Sequence, residues 1–215
     1  MGVFSEEVPR PVPETRKEIV TRSSGAIFLD RDGTVNEEAN FLSSPDQVRL
    51  IPGAAEAIRE ARANGFKIII VSNQAGVGRG LLTEEDVRRV NARLEELLAA
   101  DGVAVDGIFY CPHLPAAPDL SPADECSCRK PKPGMLLRAR DELGIDLSRS
   151  FIVGDKLIDV ETGHNGGARS VLVRTGYGSV EEKRIGPDGA VPEHVADDLL
   201  DAVRYITSVT STNNG

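Results

Sequence analysis

Carboxylate side chains stand directly after two of the short apolar runs in this chain. Asp30 and Asp32 follow the first run, and Asp155 and Asp159 follow a later one. If the fold brought Asp30, Asp32 and Asp155 together, their like charges would repel one another unless a hard cation neutralised them. Oxygen ligands at a few positions suit Mg²⁺. The sequence therefore predicts a magnesium site with Asp30, Asp32 and Asp155 as ligands.

The same region of sequence could carry out chemistry at phosphorus. A carboxylate beside a metal ion, such as Asp30, can attack phosphorus, while Asp32 can protonate the leaving oxygen and later activate water. Ser72 and Asn73 offer a hydroxyl and an amide to the phosphoryl oxygens, and Lys130 can balance the charge of the transition state. Most lysines are solvated at the surface, but the prolines that flank this one favour a fixed position.

The three cysteines form a second chemical pattern. Cys111 and His113 precede Cys126 and Cys128, and an odd number of cysteines in a chain without an export signal argues against disulfides. Three thiolates and one imidazole suit a closed tetrahedral Zn²⁺ site, which leaves no position for water and so indicates a structural role. The alternative is three small buried apolar side chains and an unrelated histidine. We predict a structural zinc loop over residues 111–128.

Five apolar runs alternate with amphipathic segments and indicate the elements that position these residues. The predicted strands are Ala26–Leu29, Lys67–Val71, Gly107–Tyr110, Phe151–Val153 and Ser170–Val173. The predicted helices are Gly53–Asn64, a helix opening at Thr83, Pro133–Leu143 and Val195–Ile206. Unbroken apolar strands suit a parallel sheet covered on both faces, so the pattern predicts an open, doubly wound, Rossmann-like α/β fold. Such folds bind ligands beyond the carboxyl ends of the strands.

Composition limits the possible partners and locations. The chain has 215 residues and a net charge of -9, which argues against binding to nucleic acid. No apolar run is long enough to span a membrane, and the amino terminus does not resemble a signal peptide. We therefore expect a cytoplasmic protein with one domain over residues 25–207, a flexible leader over 1–24 and a flexible tail over 208–215.

The ordered polar clusters resemble a known family. The set Asp30-x-Asp32-Gly33-Thr34, Ser72-Asn73, Lys130 and Gly154-Asp155-x-x-x-Asp159 is similar to the four motifs of the haloacid dehalogenase (HAD) superfamily of phosphohydrolases. Three longer segments, 28–36, 72–80 and 126–135, resemble a branch of that superfamily that removes a phosphate from heptose 1,7-bisphosphate. Histidinol-phosphate phosphatases form its sister branch. The resemblance covers about residues 25–178 and implies a capless HAD domain that is monomeric.

The resemblance also implies roles for individual residues. Asp30 would be the nucleophile and a Mg²⁺ ligand, Asp32 the acid and base and a ligand through its carbonyl, and Asp155 the third ligand. Asp159 would support these ligands, and the zinc loop recurs in the family. Together with our interpretation of the glycine-rich loop at Arg79, the expected substrate contacts are Glu38, Ala39, Asn40, Phe41, Ser72, Asn73, Gln74, Ala75, Arg79, Arg129, Lys130 and Lys156.

The segment after the nucleophile departs from the family pattern. Residues 37–41 lie where the relatives carry a different run that contacts sugar. The reaction type is thus better defined than the substrate. A heptose bisphosphate, histidinol phosphate or another sugar phosphate remains open, as does transfer of the phosphoryl group to an acceptor other than water.

Overall fold

The structure, a computed structural model, describes residues 24–115, 126–186 and 189–211. Its centre is a parallel sheet of six strands in the order β3-β2-β1-β4-β5-β6. The strands are β1 (Ala26–Leu29), β2 (Lys67–Asn73), β3 (Gly107–Cys111), β4 (Phe151–Gly154), β5 (Arg169–Val173) and β6 (His194–Ala196). The predicted open, doubly wound fold is confirmed, with one strand more than the five predicted.

Helices cover both faces of this sheet. The α-helices among the described residues are α1 (Ala54–Ala63), α2 (Ala75–Gly78), α3 (Glu84–Ala100), α4 (Gly134–Leu143), α5 (Leu157–Gly166), α6 (Gly178–Glu181) and α7 (Leu199–Ser211). Short 3-10 helices lie at Pro45–Gln47, Leu147–Arg149 and Glu182–Arg184. No helix within the described ranges is both long and apolar enough to cross a membrane.

Alternation along β1 shows why both faces must be covered. Ile27 and Leu29 pack into a core shared with α1, α3 and α7, while Ala26 and Phe28 pack into a second core with α4. All four residues are at most 1% exposed. A strand that is apolar at every position therefore needs cover on both faces, as its sequence predicts.

The register of the central strands sets the position of the polar clusters. Leu29 pairs with Ile70 on one side and with Val153 on the other. The residues that follow Leu29 and Val153 therefore emerge next to each other at the carboxyl edge, where β2 ends at Asn73. The backbone N–H of Asp30 donates to the carbonyl of Val153 at 2.9 Å. Strand order reverses about β1, so the edge beyond it is the crevice in which such sheets bind ligands.

The carboxyl-terminal elements differ from the prediction. The predicted helix Val195–Ile206 is β6 followed by α7, because residues 194–196 pair with residues 171–173 of β5. Residues 208–211, predicted to belong to a flexible tail, form the last turn of α7. There the hydroxyls of Thr210 and Ser211 donate to carbonyls of the preceding turn at 2.8 Å. The rest of the predicted tail, 212–215, and all but the last residue of the predicted leader lie outside the described residues.

Helix α5 is not among the predicted helices, because Gly163, Gly166 and Gly167 are typical of a turn before the fifth predicted strand. Gly163 lies against β4, where a Cβ atom would come within 2.6 Å of the Ile152 side chain. Here glycine allows a helix to pack closely on a strand instead of ending it. The helix ends at Gly167, whose φ of 76° places it in the left-handed region that helix ends favour.

Candidate active site

Three buried carboxylates meet at the carboxyl edge of the sheet. Asp30 follows β1, Asp155 follows β4, and Asp159 lies in the first turn of α5. One carboxylate oxygen from each lies within 4.8 Å of the others. All three residues are at most 5% exposed. This concentration of negative charge in a buried place requires nearby cations.

Asp155 presents an oxygen that no described residue hydrogen-bonds. Its Oδ2 accepts from the backbone N–H of Tyr177 at 2.8 Å, whereas the buried Oδ1 has only the Lys156 ammonium 3.4 Å away. Burial and the neighbouring Asp30 raise the pKa of Asp155 to about 7. A buried, unsatisfied carboxylate oxygen beside a second carboxylate has the chemistry of a Mg²⁺ ligand, so these residues fit the predicted ion.

Lys130 supplies a positive charge from inside the site. Its ammonium lies 2.9 Å from Asp30 Oδ1 and 2.6 Å from Asp159 Oδ1, and it donates to the carbonyl of Val71 at 3.1 Å. Burial alone would lower the pKa of Lys130, but Asp159 and Asp30 outweigh it and raise that pKa. Lys130 is therefore a permanent cation next to Asp30.

Asn73 holds the backbone of Lys130 in place. The amide of Asn73 donates to the Lys130 carbonyl at 3.1 Å, and its Oδ1 accepts from the Lys130 N–H at 3.0 Å. We predicted this amide to contact phosphoryl oxygens. In the structure it lines the cavity, but its hydrogen bonds join β2 to the lysine segment.

Asp32 belongs to a separate hydrogen-bond network. Arg31 donates to both of its carboxylate oxygens, at 3.1 and 2.8 Å, and Asn36 and Gln74 each donate to one of them. Gln74 also donates to the hydroxyl of Ser72 at 2.8 Å, which places Ser72 within the same network. Burial acts to raise the pKa of Asp32, but the charge and hydrogen bonds of Arg31 lower it. The anionic carboxylate is thus favoured.

A cavity of about 360 Å³ opens onto these groups. It is lined by predicted site residues and by four that were not predicted. The lining residues are Asp30, Asp32, Glu38, Asn40, Phe41, Leu42, Ser72, Asn73, Gln74, Ala75, Gly76, Arg129, Lys130, Lys156, Ile158 and Tyr177. Two predicted substrate contacts are outside this lining. Ala39 packs against the core, and Arg79 lies over the ring of Phe41 with its guanidinium carbon 5.5 Å from the centroid.

Tyr177 is the most informative residue that the sequence interpretation missed. The Lys156 ammonium lies 4.7 Å from the centroid of the Tyr177 ring and 3.2 Å from a carboxylate oxygen of Glu38. The sequence already indicated this position, because Tyr177 follows strand β5 at the same carboxyl edge as the other site residues. Applying the strand-end rule to the fifth predicted strand would have found it.

The four predicted zinc ligands also come together. Sγ of Cys111 lies 3.7 Å from Sγ of Cys126, and Nδ1 of His113 lies 3.4 Å from the sulfurs of Cys111 and Cys128. A tetrahedral site with Zn–S of about 2.3 Å and Zn–N of about 2.0 Å separates its ligand atoms by about 3.5–3.8 Å. Donor types and spacings therefore fit Zn²⁺. Residues 116–125 of the predicted zinc loop lie outside the described residues.

The cysteine cluster is joined directly to the cationic wall of the cavity. Arg129 donates to the carbonyl of His113 at 2.9 Å, and the N–H of Gly134 donates to the carbonyl of Ser127 at 3.0 Å. A Cβ atom at Gly134 would lie 2.3 Å from that carbonyl, so only glycine permits this approach. The position of Arg129 thus depends on the segment between Cys126 and Cys128.

The raised pKa of Asp155 predicts how stability changes with pH when divalent cations are chelated. The ordinary pKa of an aspartate is 3.8, and the pKa of Asp155 in the folded protein is about 7. Between these two pH values, the folded protein binds more protons at Asp155 than the unfolded chain does. The free energy of unfolding therefore falls as pH rises through this window, by up to about 4 kcal/mol in total. Melting curves in EDTA should show a higher melting temperature at pH 5.5 than at pH 8.

Two controls accompany these melting curves. Excess Mg²⁺ should raise the melting temperature most at pH 8, where the carboxylates are ionised. Asp155→Asn should reduce the pH dependence in EDTA and leave the smaller part that comes from Asp159, whose pKa burial raises to about 6. A wild-type protein whose metal-free stability rises steadily from pH 5.5 to 8 would contradict the expected destabilisation by ionised Asp155.

Comparison with known proteins shows similarity along most of the chain. A model of HAD-hydrolase-like proteins matches residues 127–202, and a model of polynucleotide kinase 3 phosphatases matches residues 26–163. The second match includes the strands that carry the buried carboxylates.

Individual relatives are similar over most of their length. The D-glycero-D-manno-heptose-1,7-bisphosphate 7-phosphatase of Chlorobaculum tepidum is 43% identical over 187 residues, which cover 84% of this chain and 93% of that protein. The D-glycero-beta-D-manno-heptose-1,7-bisphosphate 7-phosphatase of Yersinia pestis is 44% identical over 159 residues, 73% of this chain and 84% of that protein. The crystal structure of a D,D-heptose 1,7-bisphosphate phosphatase from B. bronchiseptica, complexed with magnesium and phosphate, has a TM-score of 0.74 and 33% identity. That likeness covers 86% of this chain and 99% of the other.

Proposed function

The chain belongs to the HAD family of phosphatases, and on that premise we propose that it removes the 7-phosphate of D-glycero-D-manno-heptose 1,7-bisphosphate. One observation carries the reaction type: Asp30 lies in an open cavity, 2.9 Å from the buried Lys130 ammonium and beside the unsatisfied oxygen of Asp155. We infer the substrate from the activity for which the relatives with 43–44% identity are named.

In the first half-reaction, a carboxylate oxygen of Asp30 attacks phosphorus and the bond from phosphorus to the sugar oxygen breaks. Asp32, which lines the same cavity and is anionic in the empty site, takes up one proton as the phosphate binds and gives that proton to the departing oxygen. The product is an acyl phosphate on Asp30 and a free sugar hydroxyl. The Lys130 ammonium offsets negative charge on the phosphoryl oxygens, and the Ser72 hydroxyl donates a hydrogen bond to one of them.

In the second half-reaction, Asp32 takes a proton from a water molecule as that water attacks phosphorus. The bond from phosphorus to the Asp30 oxygen then breaks, which releases inorganic phosphate and restores the carboxylate. The lowered pKa of Asp32 favours the anionic form that this step needs. Two half-reactions thus use the same pair of carboxylates in turn.

Mg²⁺, held by Asp30, Asp155 and the Asp32 carbonyl, would supply positive charge that draws the phosphate to Asp30 and offsets carboxylate repulsion. Asp159 supports the site from behind, through its contact with Lys130. At Gly154, a Cβ atom would lie 2.3 Å from the Asp159 carboxylate, so glycine is needed there for Asp159 to approach β4.

The cavity offers both kinds of contact that a phosphorylated sugar needs. Glu38 and Asn40 offer carboxylate and amide groups to sugar hydroxyls, and the aromatic residues Phe41 and Tyr177 are 44% and 42% exposed. Arg129 brings a guanidinium to the wall for a second phosphate. The charges and polar groups of the lining therefore suit a bisphosphorylated sugar.

The function is tested by assaying the protein with Mg²⁺ against heptose 1,7-bisphosphate, histidinol phosphate and other sugar phosphates. We expect the highest kcat/KM on the heptose bisphosphate, with loss of the 7-phosphate signal and retention of the 1-phosphate signal by phosphorus NMR. Reaction in ¹⁸O-labelled water should place one label in the released phosphate. Preference for another substrate would reassign the specificity, and unlabelled transfer to an added alcohol would indicate a phosphotransferase.

We also propose that Cys111, His113, Cys126 and Cys128 hold a structural Zn²⁺ that fixes the position of Arg129. Burial and the thiol of Cys128 raise the pKa of Cys111, whereas the backbone N–H of Arg129 helps to lower that of Cys126 despite its burial. A bound cation would allow all three sulfurs to ionise together. Reduced thiols and a zinc site suit the cytoplasm, where we place this protein as a monomer.

Replacing Cys126 with Ser should remove zinc and lower stability together. The variant loses one of four ligands, so we expect less than one-fifth of the wild-type zinc by elemental analysis. A loss of about 3 kcal/mol would lower the melting temperature by roughly 6–12 °C. The matched control is Ser127→Ala, at the exposed residue between two ligands. Unchanged zinc content and melting temperature in Cys126→Ser would refute the zinc proposal.

A further inference from the structure

Arg31 is a buried charged residue to which the mechanism above gives no role. It lies between Asp30 and Asp32 in sequence, is 1% exposed, and is the largest of the fully buried side chains among the described residues. A buried guanidinium is costly unless its donors are paired. The positions of its partners therefore show what it does.

Two of its donors reach the same carboxylate. Nε donates to Asp32 Oδ1 at 3.1 Å and Nη2 donates to Asp32 Oδ2 at 2.8 Å. Two parallel hydrogen bonds from a planar guanidinium fix both the position and the plane of a carboxylate. Asn36 and Gln74 reach only one oxygen each, so neither of them fixes that plane alone.

The third donor is held by a helix that does not reach the cavity. Nη1 of Arg31 donates to the side-chain oxygen of Asn91 at 2.9 Å. Asn91 is 8% exposed and lies on the core-facing side of α3, where its neighbours in sequence, Val90 and Leu94, are fully buried. A buried amide in an apolar surface is unfavourable unless it is hydrogen-bonded. Its position is explained by the bond to Arg31.

Arg31 also orients the nucleophile through its backbone. Its N–H donates to Asp30 Oδ1 at 2.7 Å. The same residue therefore sets the directions of both carboxylates that act on the substrate. A change in the position of its side chain would move Asp32 relative to Asp30.

We propose that Arg31 and Asn91 are positioning residues that hold the Asp32 carboxylate in line with the leaving oxygen of the substrate. The proposal rests on the acid role of Asp32 in the proposed function. Positioning of a proton donor matters most when the leaving group is a poor one. An alkoxide needs a proton to depart, whereas a nitrophenolate departs without one. A role confined to folding would affect both substrates alike.

The test is to compare kcat/KM for a primary sugar phosphate with kcat/KM for p-nitrophenyl phosphate. Each kcat/KM value depends only on the steps up to departure of the leaving group. Slow hydrolysis of the acyl phosphate therefore does not affect the ratio of the two values. In Asn91→Leu, we expect the ratio of sugar phosphate to nitrophenyl phosphate to fall about 10-fold. In Arg31→Met it should fall about 10²-fold, which is within the range of general acid catalysis.

Leu94→Ala is the matched control on the same helix. It removes a fully buried side chain and destabilises α3 without removing a hydrogen-bond partner of Arg31, so its ratio should equal that of the wild type. The proposal is overturned if Asn91→Leu lowers both rates in proportion, or if Leu94→Ala changes the ratio as much. If Arg31→Met does not fold, Asn91→Leu still decides the matter. A wild-type protein that hydrolyses neither substrate would refute the proposed function itself.

Discussion

Replacing Asp30 with Asn abolishes turnover, by about 10⁴-fold or more in kcat, while the protein stays folded. Asparagine has nearly the shape of aspartate but lacks the nucleophilic carboxylate. The amide can still accept the hydrogen bond that the Arg31 N–H makes to Oδ1 at 2.7 Å. Loss of one of three crowded carboxylates also relieves repulsion, so the melting temperature in EDTA should not fall by more than a few degrees. Phosphate release and thermal unfolding measure the two quantities.

The control for this variant is Asp46→Asn, at an exposed residue in a short 3-10 helix. It makes the same chemical change away from the cavity and should retain wild-type kcat and KM. If Asp30→Asn retained more than about one-hundredth of wild-type kcat, the nucleophile assignment would be wrong. If it failed to fold while Asp46→Asn folded, Asp30 would be a structural residue.

The second large effect is expected when Lys130 becomes Met. The Lys130 side chain is 1% exposed and its ammonium contacts both Asp30 and Asp159, so the variant leaves two buried carboxylates without their cation. Removing one member of a buried ion pair costs about 3–5 kcal/mol. Loss of the charge next to the phosphoryl group should lower kcat by about 10³-fold. Urea unfolding and steady-state kinetics give the two values.

The double variant Lys130→Met with Asp159→Asn separates the two effects. Burial raises the pKa of Asp159 to about 6, although Lys130 lowers it, so the lysine is the main reason for its ionisation. Neutralising Asp159 should therefore restore most of the lost stability while activity stays low. If activity returned together with stability, Lys130 would act only on the fold. If Lys130→Met were as stable as the wild type, the ion pair would not support the fold.

Long apolar strands made most of the fold predictable. All five predicted strands lie in the sheet, with β1, β2, β4 and β5 inside it and β3 at one edge. The helix predicted to open at Thr83 begins there with a capping box. The short edge strand β6 was missed because three residues are too few to show the apolar pattern of a strand, and the residues that follow have helical spacing. Helix α5 was missed because the requirement for glycine at its contact with β4 is tertiary and invisible in a local pattern.

The location of the site was predictable, but the partners of each side chain were not. Placing polar residues after strands predicted that Asp30 and Asp155 would lie together, and the spacing of the cysteines and histidine predicted the second cluster. The same rule could not show that Asn73 would bind the backbone of Lys130, or that Arg79 would pack on a ring. These contacts depend on side-chain directions and on loops that approach from distant parts of the chain.

Beryllofluoride offers the most direct test of a phosphoryl group carried on Asp30. It mimics an acyl phosphate by bonding to a carboxylate oxygen, so a crystal structure with Mg²⁺ and beryllofluoride shows which carboxylate accepts phosphorus. We expect beryllium bonded to an Asp30 oxygen, with its fluorines near the Lys130 ammonium and the Ser72 hydroxyl. Beryllium bonded to Asp32, or bound in the cavity away from Asp30, would contradict the mechanism.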